Sequence, residues 1–267
     1  MVRLYRLLVF KSAIPVDTRR PSHFLAPEEI QSSLKKVCDA WVIYLQDYIN
    51  QTAKLFETPE HPWALAERPM VSSLAAAITR QFENSLAVEE CQVPKAGKAK
   101  RGNCDLWVSI PDRSHDGRRF NFYLEAKKSR LITPDELSEF LRSREGLSRL
   151  LRDFKKGKKR KSPLSPYANL PKRKHEHYVI GMLVMPLKAE KKDSATVKGI
   201  LQEFFQNGQK IQLRWKGSKK VKRDLGRLPT VAVAVLPEDD ATLPAEDQPG
   251  MLAIFTVLGS SSELLAK

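Results

Sequence analysis

Two alternating runs within residues 105–127 constrain the fold of this chain more than any other feature. The first run reads DLWVSI and the second reads RFNFYLEAK, and polar and apolar side chains alternate in both. Such alternation is typical of strands with one buried face. A cluster of Pro-Asp and Asp-Gly separates the runs and favours a tight turn. The sequence therefore predicts a β-hairpin.

The position of the turn fixes the register of this hairpin. With the turn centred near residues 115–116, Asp105 lies opposite Glu125 or Lys127 at the open end. Side chains alternate between the faces of a strand, so we expect one face in the core and one that carries the charges. The apolar face comprises Leu106, Val108, Ile110, Phe120, Phe122, Leu124 and Ala126. The other comprises Asp105, Trp107, Ser109, Tyr123, Glu125 and Lys127.

Two acids at the open end of an apolar hairpin indicate a metal site. Like charges opposed across a strand pair destabilise it, so Asp105 and Glu125 suggest a divalent cation between them. Carboxylate oxygens are the ligands that hard cations take in proteins. We therefore expect Mg²⁺, with Mn²⁺ as its substitute.

Asp105 followed by Glu125-Ala126-Lys127 resembles the D…(D/E)xK signature of the PD-(D/E)xK nuclease superfamily, over roughly residues 72–186. Cys104 stands where that signature has its proline. The family often adds a glutamate on the helix before the sheet. Glu83, in QFENSLAVEE, matches that position, with Glu89 and Glu90 as alternatives. The resemblance implies a restriction-endonuclease-like α/β fold, in which helices flank both faces of a mixed central β-sheet.

The resemblance also implies metal-dependent hydrolysis of phosphodiester bonds, in DNA rather than RNA, with 5′-phosphate and 3′-hydroxyl products. The implied metal ligands are Asp105, Glu125, the backbone carbonyl of Ala126 and, directly or through water, Glu83. A bound ion would polarise the scissile phosphate and lower the pKa of a bound water. Lys127 would either orient that water or stabilise charge on the phosphate.

The excess of basic residues favours nucleic acid as the partner. Lys and Arg number 46 against 31 acidic residues, which gives a formal net charge of +15. A loop-like segment at residues 94–103 and a run at residues 155–174 concentrate basic charge, and a solvated tail or a nuclear-import-like run has the same composition as the latter. The candidate nucleic-acid contacts are Lys98, Lys100, Arg101, Lys128, Lys158, Lys159, Arg160, Lys161, Lys172, Arg173 and Lys174.

The rest of the pattern predicts further elements of an α/β domain. Helices are predicted at residues 27–49, 71–90 and 194–207, and a capping box at residues 133–136 begins another. Strands are predicted at residues 177–186, which read as buried on both faces and parallel to a neighbour, near residues 211–215, and in PTVAVAVLP and MLAIFTVLG. A Pro-rich break divides an N-terminal helical section, residues 1–69, from a nuclease-like domain with a C-terminal strand extension, residues 70–267.

The sequence argues against several other classes of protein, namely disulfide-rich, zinc-binding, secreted, membrane-spanning and NTP-driven proteins. The three cysteines have no paired spacing, which argues against a disulfide framework and a zinc site and fits a reducing cytoplasm. The first twelve residues are too short and too charged for a signal peptide, and no apolar run approaches a membrane span. Motifs of NTP-driven enzymes and of serine or zinc hydrolases are absent from the sequence.

Two other functions share parts of this pattern. A nucleic-acid-binding protein or subunit with the same fold, which does not cleave, fits the charge equally well. In an interaction scaffold, Glu125 and Lys127 would be a surface ion pair, worth at most about 1 kcal/mol. The complete set of two acids and a lysine favours the nuclease. Biological role, sequence specificity and assembly into a homodimer or larger complex are left open by the sequence.

We expect the basic run at residues 155–174 to contact the phosphate backbone. Replacing Lys158, Lys159, Arg160 and Lys161 together by Ala should weaken binding irrespective of DNA sequence. Each lost contact should reduce the slope of log K against log salt by about 0.9. Replacing Lys216, Lys219, Lys220 and Lys222 removes the same charge elsewhere and serves as the control in a fluorescence-anisotropy titration. An unchanged slope in the first variant would identify the run as a solvated tail.

Overall fold

A computed structural model describes most of the chain. The described residues are 5–11, 27–57, 60–94, 101–112, 117–129, 131–133, 135–137, 139, 175–188, 194–206, 212–213, 223–224, 230–237 and 250–260. Their strands are β1 (Tyr5–Lys11), β2 (Leu86–Pro94), β3 (Arg101–Pro111), β4 (Arg119–Lys128), β5 (His175–Leu187), β6 (Gln212–Leu213), β7 (Arg223–Asp224), β8 (Thr230–Pro237) and β9 (Gly250–Ser260). Their helices are α1 (Pro27–Phe56), α2 (Pro62–Leu65), α3 (Glu67–Gln81) and α4 (Ser194–Gln206).

A seven-stranded mixed sheet forms the centre of the fold. Its order is β1-β8-β9-β5-β4-β3-β2, and β6 pairs separately with β7. Strands β4 and β5 are parallel, whereas the other neighbours in the sheet are antiparallel. The predicted mixed α/β architecture is therefore confirmed, and β5 is the central parallel strand that its apolar run predicts.

The hairpin of β3 and β4 has the predicted register. Leu106 pairs with Leu124, and the pairing continues regularly to Pro111 and Arg119. This register is the one centred on residue 115, so Asp105 lies across from Glu125. One correction concerns the face that carries the charges. It is not open, because Trp107 is only 2% exposed and Tyr123 only 4% exposed. Both faces of the hairpin are covered along most of its length.

Helices cover both faces of the sheet, as predicted. The predicted apolar face of the hairpin packs in one core cluster with α1 and α3. Trp41 of α1 contacts Phe255 edge to face, with 5.6 Å between ring centroids. On the opposite face of the sheet, residues of β5, β8 and β9 form a second cluster with Val197 and Leu201 of α4 and with Leu137. Alternate residues of β8 enter the two clusters, which explains its continuous apolar run.

The parallel pairing of β4 and β5 requires a crossover connection, and the described residues include its first turn. Thr133 Oγ1 accepts a hydrogen bond from the Glu136 backbone N–H at 3.3 Å. In return, Glu136 Oε2 accepts one from the Thr133 N–H at 2.8 Å. These two bonds are the predicted capping box. The chain then re-enters the sheet at His175, which is the partner of Arg119 at the turn end of the hairpin.

Both predicted ends of the helix over residues 71–90 are wrong. Helix α3 begins at Glu67 because Pro69 is tolerated in a first helical turn. It ends at Gln81, after which Phe82 is extended and Asn84 has a left-handed φ of 57°. Residues from Leu86 onward pair with β3 instead, and Leu86 is 55% exposed rather than buried.

The N-terminal section contains a strand that the sequence analysis does not predict. Strand β1 pairs with β8 at one edge of the sheet, and α1 packs on the main core cluster. The division into residues 1–69 and 70–267 stays a prediction. Over the part of the chain that the structure describes, no helix has both the length and the apolar character needed to span a membrane.

We expect His61 to make stability depend on pH. Burial lowers the pKa of this imidazole from 6.5 to about 4. Between these two values the unfolded chain binds a proton that the folded chain excludes, so stability falls as pH drops through this window. The loss between pH 7 and pH 5 should be about 2 kcal/mol. Urea unfolding at both pH values measures it, and His61→Gln should lack this part of the dependence. Equal pH dependence in the two proteins would contradict the assignment.

Candidate functional site

Asp105 and Glu125 meet at the open end of the hairpin, as the sequence predicts. The carboxylate of Asp105 reaches across to β4, where its Oδ2 accepts a hydrogen bond from the Ala126 backbone N–H at 2.6 Å. Glu125 lies across from Asp105 in the register and is about one quarter exposed, at 25% of its side chain. Its partner on β5 is Gly181, which places no side chain beside it. The two acids are therefore close together and only partly solvated.

A third carboxylate comes from Glu67, which the sequence analysis did not identify. Glu67 is the first residue of α3, and its Oε2 accepts a hydrogen bond from the Lys128 backbone N–H at 3.1 Å. Its Oε1 lies 3.5 Å from Lys127 Nζ. One sequence signal could have identified it: an acid two residues before Pro69, where a helix begins and acids are favourable in the first turn.

Lys127 lies among these carboxylates. Its Nζ is 3.6 Å from Glu125 Oε1 and donates a hydrogen bond to the Ala126 carbonyl oxygen at 2.5 Å. Partial burial by itself lowers the pKa of Lys127. The charges of Glu67, Glu125 and Asp105 outweigh this effect and raise the pKa above its usual value. Lys127 is therefore a cation at neutral pH.

The structure does not bring Glu83 to this cluster. Glu83 is exposed and lies in the turn between α3 and β2, not on a helix. Leu86, three residues later, pairs with Ser109, so this turn is at the opposite end of the hairpin. Four residue steps along β3 lead from Ser109 to Asp105, a span of about 13 Å. The prediction that places Glu83 on a helix near Asp105 is wrong, and Glu67 takes that place in the structure.

The two alternative acids lie on β2. Glu89 Oε2 accepts a hydrogen bond from Ser72 Oγ of α3 at 2.7 Å, so its carboxylate is engaged with the helix. Glu90 has a left-handed φ of 49° and forms an ion pair with Arg68, with 3.4 Å between Nη1 and Oε1.

Of the predicted nucleic-acid contacts, the structure describes the side chain of Lys128 and the backbone of Arg101. Lys128 Nζ donates a hydrogen bond to the Ala64 carbonyl oxygen at 3.1 Å, next to the cluster. Arg101 begins β3, four residues before Asp105, and pairs with Pro94. The others lie outside the described residues, namely Lys98, Lys100, Lys158, Lys159, Arg160, Lys161, Lys172, Arg173 and Lys174.

The donor set of the cluster fits a hard divalent cation. Three carboxylates and the Ala126 carbonyl supply only oxygen, which is the chemistry that Mg²⁺ and Mn²⁺ require. Among the described residues, no three acidic, histidine or cysteine side chains are close enough together to form a ready metal site. The carboxylates are arranged around the ammonium of Lys127 instead. Binding of an ion by these residues therefore requires that Lys127 move away from them.

Comparisons of the chain with family models, with curated proteins and with solved structures found no match. The function must therefore be inferred from the residues of this cluster and their geometry.

Replacing Lys127 by Ala should leave the affinity for Mn²⁺ and Mg²⁺ at least as high as in the wild type. The change removes a like charge and releases Glu67 and Glu125 to bind the ion. Isothermal titration calorimetry measures the affinity. Lys35→Ala is the control, because Lys35 forms an ion pair of similar kind with Asp39 on α1, away from the cluster. Weaker metal binding in Lys127→Ala alone would contradict the metal assignment.

Proposed function

We propose that the protein is a metal-dependent nuclease of the PD-(D/E)xK type, which hydrolyses phosphodiester bonds in nucleic acid and prefers DNA. The observation that carries this proposal is the convergence of Glu67, Asp105, Glu125 and Lys127 at one end of the sheet. These residues come from α3, β3 and β4. A helix followed by an antiparallel hairpin and a parallel fourth strand is also compatible with a restriction-endonuclease-like fold.

Stability does not explain this convergence. Partly exposed ion pairs contribute little to folding, and apolar residues of similar volume often stabilise a half-buried position at least as well. A partly buried lysine with a perturbed pKa, held among three acids, is more typical of a site that binds or reacts. The cluster therefore supports a role in catalysis or ligand binding rather than in folding stability.

We assign the metal ligands to Asp105, Glu125, Glu67 and the Ala126 carbonyl. An ion held there would supply charge stabilisation to the scissile phosphate and a lowered pKa to a bound water. Asp105 also fixes the end of β4 through the Ala126 N–H, so its second oxygen, Oδ1, is the atom left to face a ligand.

Lys127 acts as a hydrogen-bond donor in this proposal. While no ion is bound, the charges of the acids raise the pKa of Lys127, so its ammonium is protonated near neutral pH and can donate hydrogen bonds. Once the carboxylates hold an ion, the ammonium is repelled from them and is available to a phosphate oxygen or to the attacking water. The surplus of basic residues, +15 in formal net charge, favours a polyanionic substrate.

One observation favours the second candidate, a nucleic-acid-binding protein that does not cleave. Lys127 already pairs with two of the carboxylates, and an ion pair of this kind requires no metal. The two candidates differ in what the carboxylates do, so acid-to-amide changes separate them.

Asp105→Asn, Glu125→Gln and Glu67→Gln should each reduce Mg²⁺-dependent cleavage of supercoiled plasmid by a factor of about 10² or more. DNA affinity should be equal or higher, because each change removes a negative charge near phosphate. Melting temperatures should not fall, since the amides retain the shape and hydrogen-bonding oxygen of the acids. Cleavage by the wild type should stop when the metal is chelated.

Glu83→Gln is the matched control, because this exposed acid lies at the far end of the same hairpin. It should cleave at the wild-type rate. A wild-type protein that binds DNA but does not cut it with Mg²⁺ or Mn²⁺ would establish the non-cleaving candidate. Cleavage at the wild-type rate in Glu67→Gln, with loss in Glu83→Gln, would return the fourth ligand to Glu83.

A further inference from the structure

An ion pair between Arg68 and Glu90 borders the carboxylate cluster and has no part in the chemistry above. Arg68 follows Glu67 in the first turn of α3, and its Nη1 lies 3.4 Å from Glu90 Oε1. Both side chains are open to solvent, at 73% and 58% exposure. The guanidinium is thus at the surface, one residue from a proposed metal ligand.

Glu90 brings this pair beside Asp105. Its neighbours in β2, Glu89 and Cys91, pair with Leu106 and Cys104, which are the neighbours of Asp105 in β3. The backbone of Glu90 therefore lies at the position across from Asp105, about one strand separation of 5 Å away, although its left-handed φ interrupts the regular pairing there. Arg68 and the proposed ligands Glu67 and Asp105 consequently border the same small region at the end of the sheet.

The pair is not explained by stability. A positive charge in the first turn of a helix is unfavourable with the helix dipole, which favours acids there. An exposed ion pair recovers little of this cost. Glu90 also adopts a left-handed φ of 49°, which is unfavourable for a residue with a Cβ and occurs preferentially at functional sites. Two separate costs, one at Arg68 and one at Glu90, thus coincide in a single ion pair next to the cluster.

We propose that Arg68 binds a backbone phosphate of the nucleic-acid substrate adjacent to the scissile bond, and that Glu90 holds its guanidinium in place until that phosphate replaces the carboxylate. The inference deepens the proposed function and rests on it for the class of substrate. Guanidinium groups bind phosphate through two parallel hydrogen bonds, which position it as well as attract it. Arg68 is then a residue that sets where the substrate lies, and Glu90 tunes how readily it binds.

The exchange of Glu90 for a phosphate as the partner of Arg68 also discriminates between short and long ligands. An isolated small anion must displace Glu90 with a single contact, whereas a polynucleotide brings other phosphates to the basic surface at the same time. The cost of displacing Glu90 thus falls mainly on short ligands. Removing the charge of Glu90 should accordingly raise the affinity for short ligands more than the affinity for long ones.

The test measures binding without cleavage. Fluorescence anisotropy of a labelled duplex, in chelator and over a series of salt concentrations, gives the affinity and the salt slope. Arg68→Ala should reduce the slope of log K against log salt by about 0.9, the value for one phosphate contact. Arg68→Lys should keep the slope but lower the affinity, because it retains the charge and loses the paired hydrogen bonds.

Arg80→Ala is the matched control. Arg80 lies at the other end of the same helix, is 55% exposed, and forms an ion pair with Asp47 at 3.3 Å. Its loss removes the same charge and the same kind of pair, so the salt slope should stay within error of the wild type. Equal changes in Arg68→Ala and Arg80→Ala would overturn the inference, because they would show a general effect of net charge.

Glu90→Gln tests the second half of the proposal. It should raise affinity several-fold, and by less when Arg68 is already Ala, since part of the gain passes through release of the guanidinium. A gain of the same size in both backgrounds would overturn the role of Glu90. A wild type that binds but does not cleave would refute the nuclease and leave only the phosphate contact of Arg68 standing, whereas an unchanged slope in Arg68→Ala refutes the inference alone. Absence of any nucleic-acid binding refutes both.

Discussion

Burial of the apolar face of the β3–β4 hairpin against α3 is the interaction on which the rest of the structure depends. Leu106, Val108 and Ile110 pack in the same cluster as Leu74 and Ile78 of the helix. This packing holds the helix at a fixed height along the hairpin, and its first residue then lies at the open end. The alternation of side chains in the hairpin thus places Asp105 and Glu125 at its open end. Packing of α3 against the hairpin brings Glu67 to them.

Lys127 is the cation that the structure places among the acids of the cluster. Three carboxylates face one ammonium in a region where Lys127 and Glu67 are each only 34% exposed. Coulomb interactions are stronger there than in open water, and the attraction of the Lys127 ammonium to Glu67, Glu125 and Asp105 raises its pKa. The proposed metal site therefore depends on an ion that replaces Lys127 as the partner of these carboxylates.

The sequence predicted what depends on neighbouring residues and missed what depends on distant ones. The hairpin register and the capping box at Thr133 and Glu136 follow from local patterns, and both are confirmed. The end of α3 was missed because Phe82 and Leu86 continue the helical spacing of the residues before them, whereas pairing with β3 decides their structure. Glu67 was missed because its position beside Lys127, about 60 residues later in the sequence, depends on the packing of α3 against the hairpin. Strand β1 is stabilised by β8, more than 200 residues later in the sequence.

The parallel pairing of β4 and β5 sets the distance between the carboxylate cluster and the start of β5. Strand β5 starts at His175, beside Arg119, whereas Glu125 is beside Gly181. The six residue steps from one position to the other span about 20 Å of strand. The basic run at residues 155–174 ends immediately before His175 in the sequence. A duplex that reached from the carboxylate cluster to that point would extend about six base pairs, at 3.4 Å each, because the fold keeps the two ends of β4 apart.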